Sequence, residues 1–268
     1  MPADWVGGPG GLLANSRSWD EVQKEYEFVG LFESFEPQIT DPESSERFHY
    51  WLNQFRYLRA VGELGCSLGE FNGIHNEIES IDDSQVNSKK LAIENRLLPV
   101  RQREMAKLSE VYKYLLNSIN TRGGFGNLAN WEQHVWSTAF KAQDDYLLKY
   151  LGELAPVYER SCDYPGEPRL IVPTVRSVIG ASENFKLEVI CVNMEVNEAK
   201  LFYRAFSEKH FSWIDLEHQA RAVFRAGLKI DDPGITGFEW YVEVKDNEGS
   251  EFLYPAGGAL KPAGVTIW

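Results

Sequence analysis

The sequence predicts an α+β protein in which an N-terminal helical domain, residues 1–165, precedes a C-terminal β-sandwich, residues 166–268. Apolar residues recur at the helical spacings i, i+3, i+4 and i+7 in the first part of the chain. Beyond it, short runs rich in β-branched and aromatic residues alternate between apolar and polar positions. The boundary is placed at the turn-forming run Tyr164-Pro165-Gly166-Glu167-Pro168.

The composition is that of a folded, acidic protein. The 268 residues are 43% hydrophobic and 25% charged, which is enough apolar material for a sizeable core. Lysine and arginine number 27 against 40 aspartate and glutamate residues, so the formal net charge is -13. Such a charge repels phosphate backbones and anionic lipid surfaces. We therefore expect no nucleic-acid partner.

Several other classes of protein are also disfavoured. No apolar run has the roughly 20 residues of a membrane helix, so no membrane insertion is predicted, and residues 1–5 lack the features of a signal peptide. Cys66, Cys162 and Cys191 are expected to be buried or free thiols, because their spacing fits neither a disulfide framework nor a zinc site. The five histidines form no HxH or HExxH pair, and neither a metal nor a cofactor is predicted.

Two helix starts are visible near the N-terminus. Ser18-Trp19-Asp20-Glu21 has the pattern of a capping box and predicts a helix of about 18 residues. Asp41-Pro42-Glu43 predicts a second start, because proline suits the first helical turn. The second helix is predicted to bury one face, formed by Phe48, Trp51, Leu52, Phe55, Leu58 and Val61.

Further helices are predicted up to residue 154. One extends from near Ser84 to about Asn120 and is expected to be interrupted or kinked at Pro99. Another begins at Asn130, after the glycine-rich break at residues 121–126. The first of these carries basic side chains interleaved with glutamates, which indicates a solvated face: Lys89, Lys90, Arg96, Arg101, Arg103 and Lys107.

The C-terminal part is predicted to be a sandwich of about seven strands. Alternation is clearest in residues 186–190 and 239–243, where one face can be buried and the other wet. Seven short strands in about 100 residues are typical of an immunoglobulin-like sandwich. The predicted strands cover residues 170–172, 185–192, 200–206, 220–224, 238–244 and 265–268.

Several motifs of this part are shared with a known type of module. They are Leu201-Phe202-Tyr203-Arg204, Trp213, Ala220-Arg221-Ala222-Val223-Phe224, residues 238–246 and Phe252-Leu253-Tyr254-Pro255. Together they resemble the fibronectin-type or immunoglobulin-like module of bacterial polysaccharide-degrading enzymes. In the helical part, residues 51–59 and 123–132 are similar to segments of large bacterial glycoside-hydrolase-like proteins, where such segments follow a barrel-type catalytic domain.

The resemblance implies an accessory role. Residues 4–11 look like the last loop of a barrel whose body is not in this sequence, since no alternating strand-helix series occurs. It implies a C-terminal part that braces a catalytic barrel domain or subunit, contributes to binding a polysaccharide or oligosaccharide, and belongs to a periplasmic or extracellular parent enzyme. Two alternatives stay open: a free-standing binding or adaptor protein, and a polysaccharide lyase that uses Asn127, His134 and a tyrosine.

Catalytic residues are not clearly signalled. Glycoside hydrolysis needs two carboxyl groups at a set separation, and Glu63, Glu70 and Glu77 are spaced to share one helix face. Glu70 is a weak candidate, because the glycine-rich run at residues 67–73 could form a loop that exposes it. Solvated helical glutamates are the interpretation that we favour, and the chain alone is not expected to be catalytically complete.

Sugar binding has better candidates. A tryptophan face can stack on a pyranose while neighbouring amide or charged groups bind hydroxyls. Trp5, Trp19 and Trp131 are the predicted stacking residues, and their polar neighbours are Asn15, Asn127 and His134. The remaining tryptophans in periodic segments are assigned to packing: Trp51, Trp136, Trp213 and Trp240. The accessory role also predicts an exposed apolar patch in the helical part, where a partner would bind.

Overall fold

The computed structural model describes residues 12–161, 164, 166–230, 232 and 234–268. The chain divides into two compact units. The first comprises residues 1–38, 49–118 and 125–165, and its described part is helical. The second comprises residues 39–48, 119–124 and 166–268 and contains the β-sheets. The predicted order, helices followed by a β-sandwich, is confirmed.

The helices vary widely in length. They are α1 (Trp19–Val22), α2 (Glu27–Glu33), α3 (Pro42–Glu79), α4 (Val86–Ala92), α5 (Leu98–Asn117), α6 (Gly124–Asn130) and α7 (Lys141–Leu151). The capping box at Ser18 and Glu21 is present. The prediction of one continuous helix of about 18 residues after it is wrong, because α1 ends at Val22. A 3₁₀ turn, Gln23–Tyr26, separates α1 from α2 where the Tyr26 ring packs over Gly62 of α3. None of the described helices combines the length and apolar composition needed to cross a bilayer.

Helix α3 is continuous through its glycines. It begins at Pro42 as predicted, and the Asp41 carboxylate caps it by accepting the Ser44 N–H at 3.0 Å. Residues 67–73, predicted as a possible loop, lie inside this helix. The glycines of α3 let the backbone at Asn15 approach the helix closely. The Asn15 N–H donates to the Gly65 carbonyl at 2.8 Å. A Cβ on Gly69 would lie 1.8 Å from the Asn15 carbonyl oxygen.

A π-helical segment precedes Pro99, where an interruption or kink is predicted. Proline cannot donate to the carbonyl of the preceding turn, and wider turns at such places relieve the lost bond. Here a π-helical segment, Ile93–Leu97, lies between α4 and α5, and Pro99 is in the first turn of α5. A second π-helical segment, Trp131–Phe140, joins α6 to α7.

Two predictions about helix faces are wrong. In the predicted buried stripe of α3, Leu52 is fully buried but Trp51 and Leu58 are 55% and 49% exposed. In the predicted solvated face, Lys89 and Arg101 are 1% and 0% exposed. Periodicity identifies the apolar face of a helix, but it does not show how much of that face a packed element covers. Lys89 and Arg101 are buried because carboxylates lie beside them.

The second unit holds two sheets. The described strands are β1 (Arg169–Ile171), β2 (Val178–Ile179), β3 (Phe185–Val192), β4 (Val196–Ala205), β5 (Ser212–Asp215), β6 (Glu217–Ala220), β7 (Val223–Leu228), β8 (Gly237–Asp246), β9 (Glu251–Tyr254) and β10 (Ala263–Ile267). One sheet has the order β1-β3-β7-β6. The other has the order β2-β10-β8-β4-β5, and β9 also pairs with β8.

This arrangement matches an immunoglobulin-like sandwich. If β1, β3, β7 and β6 are read as strands A, B, E and D, the first sheet has the standard ABED order. The pairs are antiparallel except for β10 with β2. Strand β3 alternates buried and partly exposed residues, and Phe185 packs edge-on against Phe238 in the core between the sheets. Trp240, assigned to packing, is 3% exposed and lies in this core.

Candidate functional site

The N-terminal sugar-binding candidates are only partly within the described residues. Trp5 lies outside them. Trp19 is half-buried in α1, and its ring centroid is 5.7 Å from that of Tyr26. The Asn15 amide oxygen accepts the backbone N–H of Arg17 at 3.0 Å, which fixes a local turn. Trp19 therefore has a neighbouring ring, while the Asn15 oxygen is already engaged.

The second group of candidates does not form the predicted platform. Trp131 begins the second π-helical segment and is 4% exposed, so its ring presents no face to a ligand. Its indole N–H donates to the Tyr57 hydroxyl at 2.9 Å, and Tyr112 packs edge-on against it. Asn127 and His134 are exposed on the surface. Trp131 is thus a core residue that positions helices, and the two polar residues lie outside that core.

Glu70 and its two spaced neighbours are engaged in ion pairs. Glu70 lies on α3, half exposed, and pairs with Arg103 of α5 at 2.6 Å. Glu63 pairs with Lys107 at 2.8 Å, and Glu77 pairs with Arg96. Each bridge joins α3 to the segment running from residue 93 to 117, so the heptad spacing of the glutamates follows helix packing. The catalytic prediction for Glu70 loses its premise, because the expected loop is a helix.

A buried polar cluster joins α5 to α7. Arg101, 0% exposed, donates to the Gln143 amide oxygen at 2.8 Å and to the Tyr158 carbonyl at 3.0 Å, and it pairs with Asp144. The Gln143 amide donates to Glu104 Oε1 at 3.2 Å. The other oxygen, Oε2, makes no hydrogen bond and lies 3.8 Å from Arg101.

Burial determines the charge of this cluster. Removal from water raises the pKa of Glu104 to about 8, although Arg101 opposes the shift. The pKa of Asp144 is also raised, again chiefly by burial. The raised pKa favours the neutral form of the Glu104 carboxyl group beside the Arg101–Asp144 ion pair. Because Glu104 is 0% exposed, this raised pKa has a structural role and gives no group that could reach a substrate.

The described cysteines are unsuited to nucleophilic chemistry. Cys66 and Cys191 are free and buried, as predicted, while Cys162 lies outside the described residues. Burial raises the pKa of both thiols, that of Cys191 to about 12. Both are therefore protonated at neutral pH. Among the described residues, no group of three or more His, Cys, Asp or Glu side chains is arranged to hold a metal ion.

An exposed aromatic surface lies on the helical unit. We call it the α2–α3 surface, formed by Phe28, Leu31, Phe35, Trp51, Phe55 and Leu58. Phe55 of α3 lies at its centre, with Phe28 edge-on at 5.4 Å and Trp51 stacked at 6.4 Å. Leu31, Trp51 and Leu58 are 61%, 55% and 49% exposed. The predicted apolar patch of the helical part is therefore present.

Ion pairs border this surface. Glu33 of α2 accepts hydrogen bonds from Arg56 and Arg59 of α3, both at 2.9 Å. Glu36 accepts from Arg56 at 3.1 Å and lies 2.8 Å from His49. Burial opposes ionisation of Glu33, but the hydrogen bonds from the two arginines outweigh it and lower the pKa of this carboxyl group. The surface thus combines an apolar centre with a border of carboxylates that are paired with arginines of the same unit.

The comparisons with known proteins give no family assignment. A scan against protein-family models and a search of curated proteins each found no match to this chain.

Sequence reasoning missed two exposed tryptophans. Trp51 and Trp213 were assigned to packing from their periodic segments, yet they are 55% and 52% exposed. For Trp213, a usable signal was its place in a run of only four residues, Ser212–Asp215, with a polar residue at each end, which suits an edge strand more than a central one. Trp51 carries no comparable local signal, because its neighbours on α3 are aromatic and apolar.

Proposed function

We propose that this chain is a non-catalytic accessory unit of a bacterial glycoside-hydrolase-like enzyme. Its helical unit docks on a catalytic barrel domain, and the chain contributes to polysaccharide binding. The observation that carries this proposal is the α2–α3 surface. Soluble monomers rarely expose a contiguous aromatic cluster of this kind, and such patches with polar borders are typical of protein interfaces.

The partner that this surface favours is another folded protein. Each carboxylate at the border, Glu33 and Glu36, forms an ion pair with an arginine of the same unit, so the surface offers no unpaired carboxylate to a cationic ligand. The rings also pack against one another, and Phe55 meets Phe28, Phe32 and Trp51. A preformed apolar face suits a complementary apolar patch on the surface of a folded domain.

A non-catalytic role is supported by the carboxylates. Glu63, Glu70 and Glu77 are used in ion pairs between helices, and Glu104 is buried without access to solvent. We place the assembled enzyme in the periplasm or outside the cell, because long polysaccharides are met there.

The proposal predicts that a barrel-type catalytic domain is encoded beside this chain, and the experiment uses that domain. Binding of the two proteins is measured by analytical ultracentrifugation, for the wild type and for a double variant, Trp51→Ser with Leu58→Ser. We expect the variant to bind at least tenfold more weakly. Leu260→Ser is the matched control, because Leu260 is 92% exposed and lies outside the α2–α3 surface.

Three results would contradict the proposal. The first is a coding region with no barrel domain beside this chain, and the second is undiminished binding by the double variant. The third is hydrolysis of a polysaccharide by this chain alone that is lost in Glu70→Gln.

A further inference from the structure

The outer face of the six-stranded sheet carries a row of aromatic side chains. Trp213 of β5 pairs in register with Phe202 of β4, and Phe202 pairs in register with Tyr241 of β8. Side chains that are directly opposite on neighbouring strands share a face. The alternate residues Leu201 and Val242 point into the core between the sheets. We call this row and its flanking charges the outer sheet face.

The row has a rigid base and one open ring. Phe202 and Tyr241 stack with centroids 4.7 Å apart and an interplanar angle of 4°, and Phe211 meets Tyr241 edge-on at 5.0 Å. Trp213, at the sheet edge, is 52% exposed. The Lys200 ammonium lies 4.8 Å from the Trp213 ring centroid. The indole is therefore held in place while about half of it stays accessible.

Charged groups flank the row on both sides as pairs. On one side Lys200 donates to Glu198 at 2.9 Å, and Asp215 and Glu243 are its register partners on the adjacent strands. On the other side Arg204 pairs with Glu239 at 2.6 Å. Charged donors and acceptors thus lie on both sides of the aromatic row, which suits a ligand whose hydroxyl groups both donate and accept hydrogen bonds.

A shallow cleft extends the face beyond Trp213. It has a volume of about 330 Å³, and its lining includes Asn197, Asp215 and His218 beside the indole. Amide, carboxylate and imidazole groups next to an open tryptophan form the combination that carbohydrate recognition requires.

The charges favour a neutral ligand over an anionic one. Lys200, Arg204 and Lys245 of this face are each paired with a glutamate, so they offer no uncompensated cation to a uronate or a sulfate. The net charge of -13 also repels polyanions at long range. A protein partner is disfavoured because charged pairs surround a single exposed ring, whereas protein interfaces have charge-depleted centres.

We infer that the outer sheet face around Trp213 binds a neutral polysaccharide chain, with the indole stacked on a pyranose ring. This inference rests on the proposed function, because it gives the polysaccharide-binding role a site. It uses a surface of the second unit and is independent of the α2–α3 surface.

The test is affinity electrophoresis of the full chain in gels that contain one polymer each. The neutral polymers are hydroxyethyl cellulose, arabinoxylan, laminarin, galactomannan and agarose. Carboxymethyl cellulose is the charged counterpart of hydroxyethyl cellulose. We expect retardation by at least one neutral polymer and weaker retardation by carboxymethyl cellulose, together with a change in tryptophan fluorescence on binding.

Variants then locate the site. Trp213→Ala is expected to weaken binding at least tenfold and to abolish the fluorescence change, while Trp213→Phe keeps part of the affinity. Trp268→Ala is the matched control, since Trp268 is an 82% exposed tryptophan of the same unit. Near-ultraviolet circular dichroism and the melting temperature show whether each variant is folded. Because Trp213 is exposed at a sheet edge, we expect its variants to fold.

The outcomes separate this inference from the proposed function. Lack of binding to every neutral polymer, equal binding by Trp213→Ala, or preference for the anionic polymer would each overturn the site. Binding of a protein through Trp213, with no polymer bound, would also overturn it. Trp213-dependent polymer binding without docking of the catalytic domain would keep the site and overturn the bracing role.

Discussion

Arg101 illustrates how a single residue can reverse a sequence-based expectation. Its place among interleaved charges predicted a solvated side chain, yet it is fully buried and stacks near Trp136 and Phe140 at 5.5 Å and 5.7 Å. Its partners, Gln143 and Asp144, lie 42 and 43 positions away in the sequence. A local sequence pattern cannot identify contact partners that are so far apart in the chain.

The proton on Glu104 gives a testable pH dependence. Its folded pKa, about 8, lies above the ordinary value of 4.5, so the folded state keeps a proton that the unfolded state has released. The free energy of unfolding should therefore fall as pH rises from about 5 to 8, by at most about 1.4 kcal/mol per pH unit from this group. Glu104→Gln is expected to remove this slope, measured by urea unfolding at pH 5, 6, 7 and 8.

A control on the surface isolates the effect. Glu27→Gln changes an exposed glutamate on α2, away from the Glu104 cluster, and should leave the pH slope of the wild type intact. Equal slopes for Glu104→Gln and wild type would show that Glu104 ionises in the folded protein.

At the scale of elements, the glycines of α3 decide how the N-terminal segment packs. They weakened the sequence-based prediction of a continuous helix, since glycine lowers helix propensity. In the structure the helix is continuous, and the segment at residues 13–15 runs against Gly65 and Gly69. Leu12, which precedes that segment, is fully buried in the core of the helical unit.

Two alanine substitutions on α3 should therefore act in opposite directions. A Cβ at Gly69 would lie 1.8 Å from the Asn15 carbonyl oxygen, so Gly69→Ala forces that segment away and is expected to destabilise the protein by about 1–3 kcal/mol. Gly73 has no neighbouring atom within 4 Å, and Gly73→Ala should stabilise by up to about 1 kcal/mol through helix propensity. Urea unfolding measures both. Stabilisation by both substitutions would show that Asn15 does not pack against Gly69 in solution.

At the scale of the whole molecule, the second unit should be separable as residues 166–268. All described strands and the buried core cluster of this unit lie in that range. The fragment loses the ion pairs that Lys261 forms with Asp41 and Glu43. It also loses the ion pair between Arg122 and Glu188. Such partly exposed pairs contribute about 0–1 kcal/mol each.

The expected result is a folded fragment with slightly lower stability. Near-ultraviolet circular dichroism should retain the signal of the buried Trp240, and the free energy of unfolding should be a few kcal/mol below that of the second unit in the full chain. A fragment without near-ultraviolet signal would show that residues 39–48 and 119–124 are required for folding of this unit.

Features that depend on neighbouring residues in the chain could be predicted from the sequence. The order of helices and strands, the helix starts at Ser18 and Pro42 and the interruption near Pro99 are confirmed, because caps, proline and alternation act within one or two turns. The alternation of residues 239–243 likewise predicted the buried Trp240. The role in polysaccharide degradation stays a proposal.

The accessibility of each candidate side chain was decided only by the tertiary structure. Trp131, predicted to bind sugar, is in the core, while Trp51 and Trp213, predicted to pack, are exposed. Periodicity gives the apolar face of an element but not the size or position of the element that covers it. By itself the sequence determined the order of helices before strands and the starts of α1 and α3, through local caps and alternation. The tertiary structure decided which rings and charges reach solvent, because burial depends on partners distant in sequence.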